Sequence, residues 1–249
     1  MLLPVLAMNP ILIAAAVIPA VLLLKKIYQA DHLDKEPTRL LVNLVVLGVV
    51  STALAIVAER LGAWILSLVL FEDTIAYQFF MYFVVVAVSE EGFKYLLLRQ
   101  RTWKSPEFNC QFDAVVYATF VSLGFALWEN ISYVASYGLS TALVRAVTAV
   151  PGHACFGVFM GVFYGIAKKY ENLGQSGTSR TFRILSVVVP VLLHGAYDFI
   201  ASVGTGGATT VFLVFVAVMF LAAYRLVVMM SRSDQYIDNQ PHYEDLWKF

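Results

Sequence analysis

The chain has 249 residues, of which 60% are hydrophobic and only 14% charged, and its mean hydropathy is +0.75. This composition excludes an ordinary soluble protein and indicates a polytopic membrane protein. The formal net charge is zero, so the sequence lacks the basic excess expected of a protein that binds nucleic acid.

Seven apolar runs are long enough to cross a hydrocarbon core about 30 Å thick. They predict an all-α fold, a polytopic transmembrane bundle of about seven helices, with spans at residues 3–24, 40–58, 75–98, 112–131, 141–167, 184–202 and 208–230. The stretch 61–71 is too short to cross. It either continues the second helix or forms an eighth, interfacial helix anchored by Trp64. We expect one integral membrane domain over residues 1–230 and a polar cytoplasmic tail over 231–249.

The distribution of lysine and arginine predicts the orientation of the bundle. The connections near residues 72–73, 132–140 and 204–207 contain neither residue, whereas most of the 17 basic residues fall at the opposite ends of the spans. Since cytoplasmic connections carry the excess of basic residues, we expect a multi-pass cell-membrane protein in a lipid bilayer, with its N-terminus outside and its C-terminus in the cytoplasm. We expect Arg145 to extend its charged group to the outer surface.

Polar side chains inside the predicted spans fall on four consecutive helices. They are Glu90, Glu91 and Lys94 in the third span, Glu129 and Asn130 in the fourth, His153 in the fifth, and His194 and Asp198 in the sixth. Glu90 and Lys94 are four residues apart, as are His194 and Asp198, so each pair shares a helix face. Counting about 1.5 Å per residue from the inner boundary places the ionisable groups in a central slab, where the glutamates face His194.

Such groups are costly at membrane depth and are commonly functional. Hydrolysis of an amide requires an activated water, a group that stabilises the oxyanion, and a proton for the leaving amine. Glu90 or Glu91 is a candidate general base, and the two histidines either hold a divalent metal or donate hydrogen bonds to the oxyanion. Glu129 or Asp198 either completes the ligand set or orients an imidazole. The zinc signature HExxH is absent from the sequence.

Several segments together resemble the successive motifs of the PrsW family of intramembrane proteases, and more distantly the CAAX prenyl protease superfamily. They are Asp34-Lys35-Glu36-Pro37, Glu90-Glu91-Gly92-Phe93-Lys94, Leu123 to Asn130, Pro151-Gly152-His153 and Leu193 to Phe199. The resemblance covers about residues 20 to 200. It implies an intramembrane endopeptidase that makes a site-1 cut in a single-span regulator, such as an anti-sigma factor in stress signalling, in a bacterial or archaeal cytoplasmic membrane.

The resemblance and the chemistry together nominate the site residues. We expect Glu90, Glu91 and His194 to be catalytic, with Glu90 favoured as the base by analogy with the superfamily. We expect a divalent metal, with zinc as the first choice, among His153, His194, Glu129 and Asp198, while Lys94 and Asn130 play supporting roles. The sequence does not define the oligomeric state.

Structural interpretations remain open for several of these residues. In one interpretation, Glu90, Glu91 and Lys94 form an ion-pair network with only a structural role. In another, Glu129 and Asn130 hold neighbouring helices together. His153 begins the stripe His153, Gly157, Gly161, Gly165, whose spacing favours close helix packing. The segment from Asp31 to Glu36 is most simply a solvated cytoplasmic turn.

Two other functions remain open for the whole chain. A proton-coupled transporter would also place ionisable groups among its helices, but the internal repeat typical of many transporters is not visible in the sequence. A non-catalytic scaffold of the same fold would have little reason to retain all the motif groups.

Overall fold

The computed structural model describes residues 9–204 and 206–237. Residues 3–8 of the predicted first span, Thr205 in a predicted outer connection, and residues 238–249 of the predicted tail lie outside this part of the chain.

The described residues form a helical bundle. Its elements are α1 (Pro10–Ala30), α2 (Thr38–Ser67), α3 (Ile75–Phe80), a π segment (Met81–Val86), α4 (Ala87–Thr102), α5 (Asp113–Tyr137), α6 (Leu139–Val147), α7 (Ala149–Asn172), α8 (Ser176–Ser202) and α9 (Gly206–Arg232).

Six stretches of the described chain are long and apolar enough to cross a membrane, namely α1, α2, α5, α6 together with α7, α8, and α9. The remaining predicted span corresponds to the unbroken helical run from α3 through the π segment to α4. The predicted all-α polytopic bundle is therefore confirmed. Helix α2 continues to Ser67, so the stretch 61–71 is mainly an extension of the second helix and not a separate one.

Helices α5 and α7 form the centre of the bundle, and α1 and α9 lie at its periphery. The glycine stripe of α7 packs directly against α5: a Cβ atom at Gly161 would lie 2.5 Å from the Cα atom of Val115. No side chain fits at that separation, so the two helix backbones touch as the small-residue spacing predicts.

The π segment lies one turn before Glu90. A π turn accommodates an extra residue and changes the direction in which the following residues face, which is why such segments are frequent at functional sites. It packs closely against α8, since a Cβ atom at Gly195 would lie 2.5 Å from Cδ1 of Phe83. The π segment thereby fixes the start of α4 against the helix that carries His194.

Helices α2 and α5 run in the same direction and finish at the same end of the bundle, called here the Ser67 end. The Tyr117 hydroxyl donates to Glu36 near the start of both helices, and the Thr52 hydroxyl lies 3.5 Å from the Phe125 carbonyl oxygen further along. Helix α4 finishes at the opposite end, called the Thr102 end.

The segment from Asp31 to Glu36 is only in part the solvated turn predicted for it. His32, Asp34 and Lys35 are exposed, but Asp31 is 0% exposed and Glu36 5%. Tyr117 of α5 and Asn109 of the loop before it contact Glu36 and Asp34, at 2.6 and 2.9 Å. Burial raises the pKa of Asp31 to about 6 and that of Glu36 to about 8.

Candidate active site

The α4 residues of the candidate site surround one buried ammonium group. The Lys94 Nζ atom lies 2.7 Å from Oε1 of Glu91 and 3.2 Å from Oε2 of Glu90. It also lies 3.1 Å from Nδ1 of His153 and 3.9 Å from the centre of the Phe125 ring. Lys94 and Glu91 are both 0% exposed. Because a helix places residues three and four apart on one face, all three charged groups point to the same spot.

His194 brings α8 to this group. Its Nδ1 atom lies 2.9 Å from Oε1 of Glu91, and its Nε2 atom faces Oδ2 of Asp198 at 3.3 Å and Oε2 of Glu90 at 3.9 Å. The ring of Phe156 stacks on the imidazole with a centroid distance of 4.6 Å. The imidazole is therefore held in one plane with both ring nitrogens directed at carboxylates.

His153 brings α7 to the same group, and its two ring nitrogens meet opposite kinds of partner. The Lys94 ammonium can only donate, so Nδ1 accepts from it. The Nε2 atom lies 2.8 Å from Oε2 of Glu129, so it carries the proton and donates. The two partners fix the tautomer of this histidine.

Glu129 and Asn130 connect the site to a second cation. Arg145 donates to Oε2 of Glu129 at 2.8 Å and to Oδ1 of Asn130 at 3.0 Å, while the Asn130 amide donates to the Ala16 carbonyl. The prediction that Arg145 reaches the outer surface is wrong, since its side chain is 13% exposed. The two adjacent acceptors on α5 hold the guanidinium inside, whereas the sequence shows only an arginine near a helix end.

Four of the predicted residues form a compact donor group. Glu90, Glu91, His153 and His194 each offer one ligand atom, and these atoms lie within 4.8 Å of one another. Glu129 and Asp198 stand outside this group, each beside a histidine. Lys94 lies within hydrogen-bond distance of three of the four members. We refer to the four donors and Lys94 as the central cluster.

A cavity of about 440 Å³ leads from the central cluster. Glu90 lines it and Glu91 does not. The lining continues past His153 to Tyr137 and Arg145, which lie towards the Ser67 end. A chain entering from that end would thus meet Glu90 and both histidines.

One cavity residue, Glu59 of α2, was not among the predicted site residues. The sequence places it beside Arg60 near the end of an apolar run, where a charged pair ordinarily marks a helix end. A signal was nevertheless present: Glu59 follows Gly48, Thr52 and Ala55 at helical spacing, and these three are buried.

Comparison with known proteins identifies relatives along most of the chain. The family model described as PrsW family intramembrane metalloprotease matches residues 36–224. Protease PrsW of Oceanobacillus iheyensis is 33% identical over 216 residues, which is 86% of this chain and 94% of that protein. Protease PrsW of Bacillus subtilis is 34% identical over 76% of this chain and 82% of that protein. Protease PrsW of Clostridioides difficile is 30% identical over 82% and 85%. No solved structure matches the chain.

Proposed function

Since this chain belongs to the PrsW family of intramembrane metalloproteases, we propose that its central cluster cuts a single-span membrane protein near the membrane boundary. The substrate class we favour is a membrane-anchored regulator, such as an anti-sigma factor in a stress response. The observation that carries the proposal is the convergence of Glu90, Glu91, His153 and His194 from three helices at the base of one cavity.

The cavity distinguishes the roles of the two glutamates. Glu90 lines the cavity, so a water held there comes within its reach, and we assign it as the general base. Glu91 has no exposure and is shared between Lys94 and His194. Its carboxylate orients both partners and does not face the cavity, so it does not act as the base.

The donor set suits a divalent metal. Two carboxylate oxygens and two imidazole nitrogens within 4.8 Å are ligand types that zinc commonly takes. Glu91, His153 and His194 would hold it, which leaves Glu90 free to act as the base. A metal at such a site polarises a carbonyl and lowers the pKa of a bound water. Lys94 lies within hydrogen-bond distance of two of these ligands, Glu91 and His153, so its ammonium must move aside when they bind a metal.

The remaining polar groups of the cavity are placed to contact the substrate. A peptide bond in an intact helix is shielded by its own hydrogen bonds, so the substrate must be extended before its carbonyl meets a nucleophile. The polar walls near the Ser67 end offer hydroxyls of Ser132, Ser136 and Tyr137 to an unwound backbone. If the site works without a metal, His194, held by Glu91 and Asp198, is placed to donate to the oxyanion or to the leaving amine.

The test combines cleavage with metal analysis of the purified full chain. We expect the wild type to cut a single-span test substrate, to stop when a chelator is added, and to contain about one divalent ion per chain. The His153→Ala, His194→Ala double variant should lose both the metal and the activity. His32→Ala, which changes an exposed histidine outside the site, is the matched control. Equal, near-zero metal in all three proteins would refute the metal site.

A labelling experiment tests the side of entry. We propose that the Ser67 end faces outward, with the N-terminus outside and the tail in the cytoplasm. Ser136→Cys lies in the cavity wall, and Arg101→Cys lies exposed at the Thr102 end. A membrane-impermeant thiol reagent should reach the first only from outside and the second only from inside. The reverse pattern would indicate a protease that opens to the cytoplasm.

A further inference from the structure

The Glu59 carboxylate is the unpartnered acid of the cavity. Its Oε1 atom is buried without a hydrogen-bond partner, and no Lys, Arg or His nitrogen of the described chain lies within 4.0 Å of its carboxylate. The other acids that line the cavity are all paired. Glu90 contacts Lys94, Glu129 contacts Arg145, and Asp198 contacts His194.

Glu59 lies beside the central cluster, on the side of the Ser67 end. Gly62, one turn after Glu59, packs against the π segment, since a Cβ atom there would lie 2.6 Å from Cγ1 of Val85. Glu90 follows Val85 by five residues on a run that leads to the opposite end, so the backbones of Glu59 and Glu90 are level to within about one helix turn. Since both side chains line the cavity, the Glu59 carboxylate lies roughly 5–10 Å from the cluster.

A carboxylate without a partner at membrane depth is costly, and the cost is offset when a positive group reaches it. The described chain supplies none at this position. The neighbouring Arg60 is exposed, and Arg145 is already held by Glu129 and Asn130. Because Glu59 faces the space that the substrate would fill, the positive group that completes it must come with the substrate.

We propose that Glu59 determines specificity by binding a Lys or Arg side chain of the substrate, two to three residues from the scissile bond on the side of the Ser67 end. This inference rests on the proposed function, because the distance is counted from the central cluster. An extended chain advances about 3.3 Å per residue, so roughly 5–10 Å corresponds to two or three residues. At this distance Glu59 does not touch the reacting atoms.

The test uses blocked single-span peptides that carry Arg, Gln or Glu at one position in this region. For the wild type we expect kcat/KM to be about tenfold higher for the Arg peptide than for the Gln peptide, with the difference mainly in KM. Glu59→Gln should abolish the preference, and Glu59→Lys should reverse it in favour of the Glu peptide. Glu72→Gln, an exposed acid at the same end of the bundle, should leave the preference intact.

Binding of the same peptides provides a readout that does not need cleavage. On a Glu90→Gln background, the Arg peptide should bind about tenfold more tightly than the Gln peptide, and Glu59→Gln should remove that difference. If the chain cuts no substrate but this binding difference is present, the proposed function fails and the Glu59 site stands. A preference for Arg that survives Glu59→Gln would overturn the inference. The inference would also be overturned if Glu59→Gln lowered kcat equally for all three peptides and left KM unchanged.

Discussion

Two groups of buried carboxylates in this molecule are stabilised in different ways. In the central cluster, Glu90 and Glu91 lie within 4.0 Å of Lys94 and His194. In the loop cluster, defined as Asp31, Glu36, Asp113 and Asp234, no such cation is present among the described residues. There three of the four carboxylates receive hydrogen bonds: Asp113 from the Cys110 N–H at 2.6 Å, Asp234 from the Phe112 N–H at 2.8 Å, and Glu36 from the Tyr117 hydroxyl at 2.6 Å.

The difference shows what each region is built for. In the central cluster the carboxylates face cations, and the cavity gives Glu90, the proposed base, access to water and substrate. The loop cluster ties the start of α2 and the segment after α9 to the start of α5. Burial favours the neutral forms of Asp31 and Glu36, which suits a structural joint.

The largest expected effect concerns the chemistry of the central cluster. Glu90→Gln keeps the size of the side chain but removes the base, so turnover should fall by about 10²–10⁴-fold while the protein still folds. Glu91→Gln should also lower turnover, with a larger loss of stability because Lys94 and His194 lose a shared partner. Glu36→Gln, the same change in the loop cluster, is the control. Cleavage rates at pH 7 measure all three, and wild-type rates in Glu90→Gln would remove its assignment as base.

The next largest expected effect concerns Lys94, whose charge compensates the two carboxylates of the central cluster. Lys94→Met removes the ammonium and leaves two buried carboxylates without their main partner, which should cost about 3–5 kcal/mol of unfolding free energy. Thermal or denaturant unfolding in detergent measures this loss. The double variant Lys94→Met, Glu91→Gln should recover part of it, because one of the orphaned charges is gone. Simple additivity of the two losses would mean that the ion pair contributes nothing.

The sequence predicts the central cluster better than the loop cluster for a physical reason. Charges inside an apolar run stand out, and the spacings Glu90 to Lys94 and His194 to Asp198 identify the faces that meet. Asp31 and Glu36 lie in a polar stretch where exposure is the ordinary outcome, yet both are buried, and the partner of Glu36, Tyr117, is 81 positions away.

The same reasoning explains the other differences between the structure and the predictions from the sequence. Arg145 is held inside by acceptors on a different helix, and Glu59 enters the cavity only because α2 extends unbroken past it. The π segment has no sequence pattern, since it depends on how Phe83 packs against Gly195. The positions of the helices can be predicted from hydropathy, whereas the contacts between helices depend on how their side chains pack.

The smallest expected effect is a pH dependence of stability that arises in the loop cluster. Burial raises the pKa of Glu36 from its ordinary 4.5 to about 8 in the folded chain. Unfolded chains release this proton near pH 4.5, so the folded state binds more protons between these values. Its stability therefore falls as the pH rises through that interval and levels off above about 8. For Asp31 the corresponding interval runs from 3.8 to about 6.

The two intervals allow the two acids to be separated. Above about pH 6 the contribution of Asp31 has levelled off while that of Glu36 continues, so Glu36→Gln should reduce the slope of the melting-temperature profile between about pH 6 and pH 8. The variant should exceed the wild type by about 1–3 kcal/mol at pH 8, because its amide keeps an acceptor for Tyr117 without a charge. Asp31→Asn should flatten only the part below about pH 6. Lys94→Met should lower the melting temperature at every pH. If Glu36→Gln instead lowers the melting temperature most at pH 8, the buried carboxylate is charged and stabilising there, and the two clusters work alike.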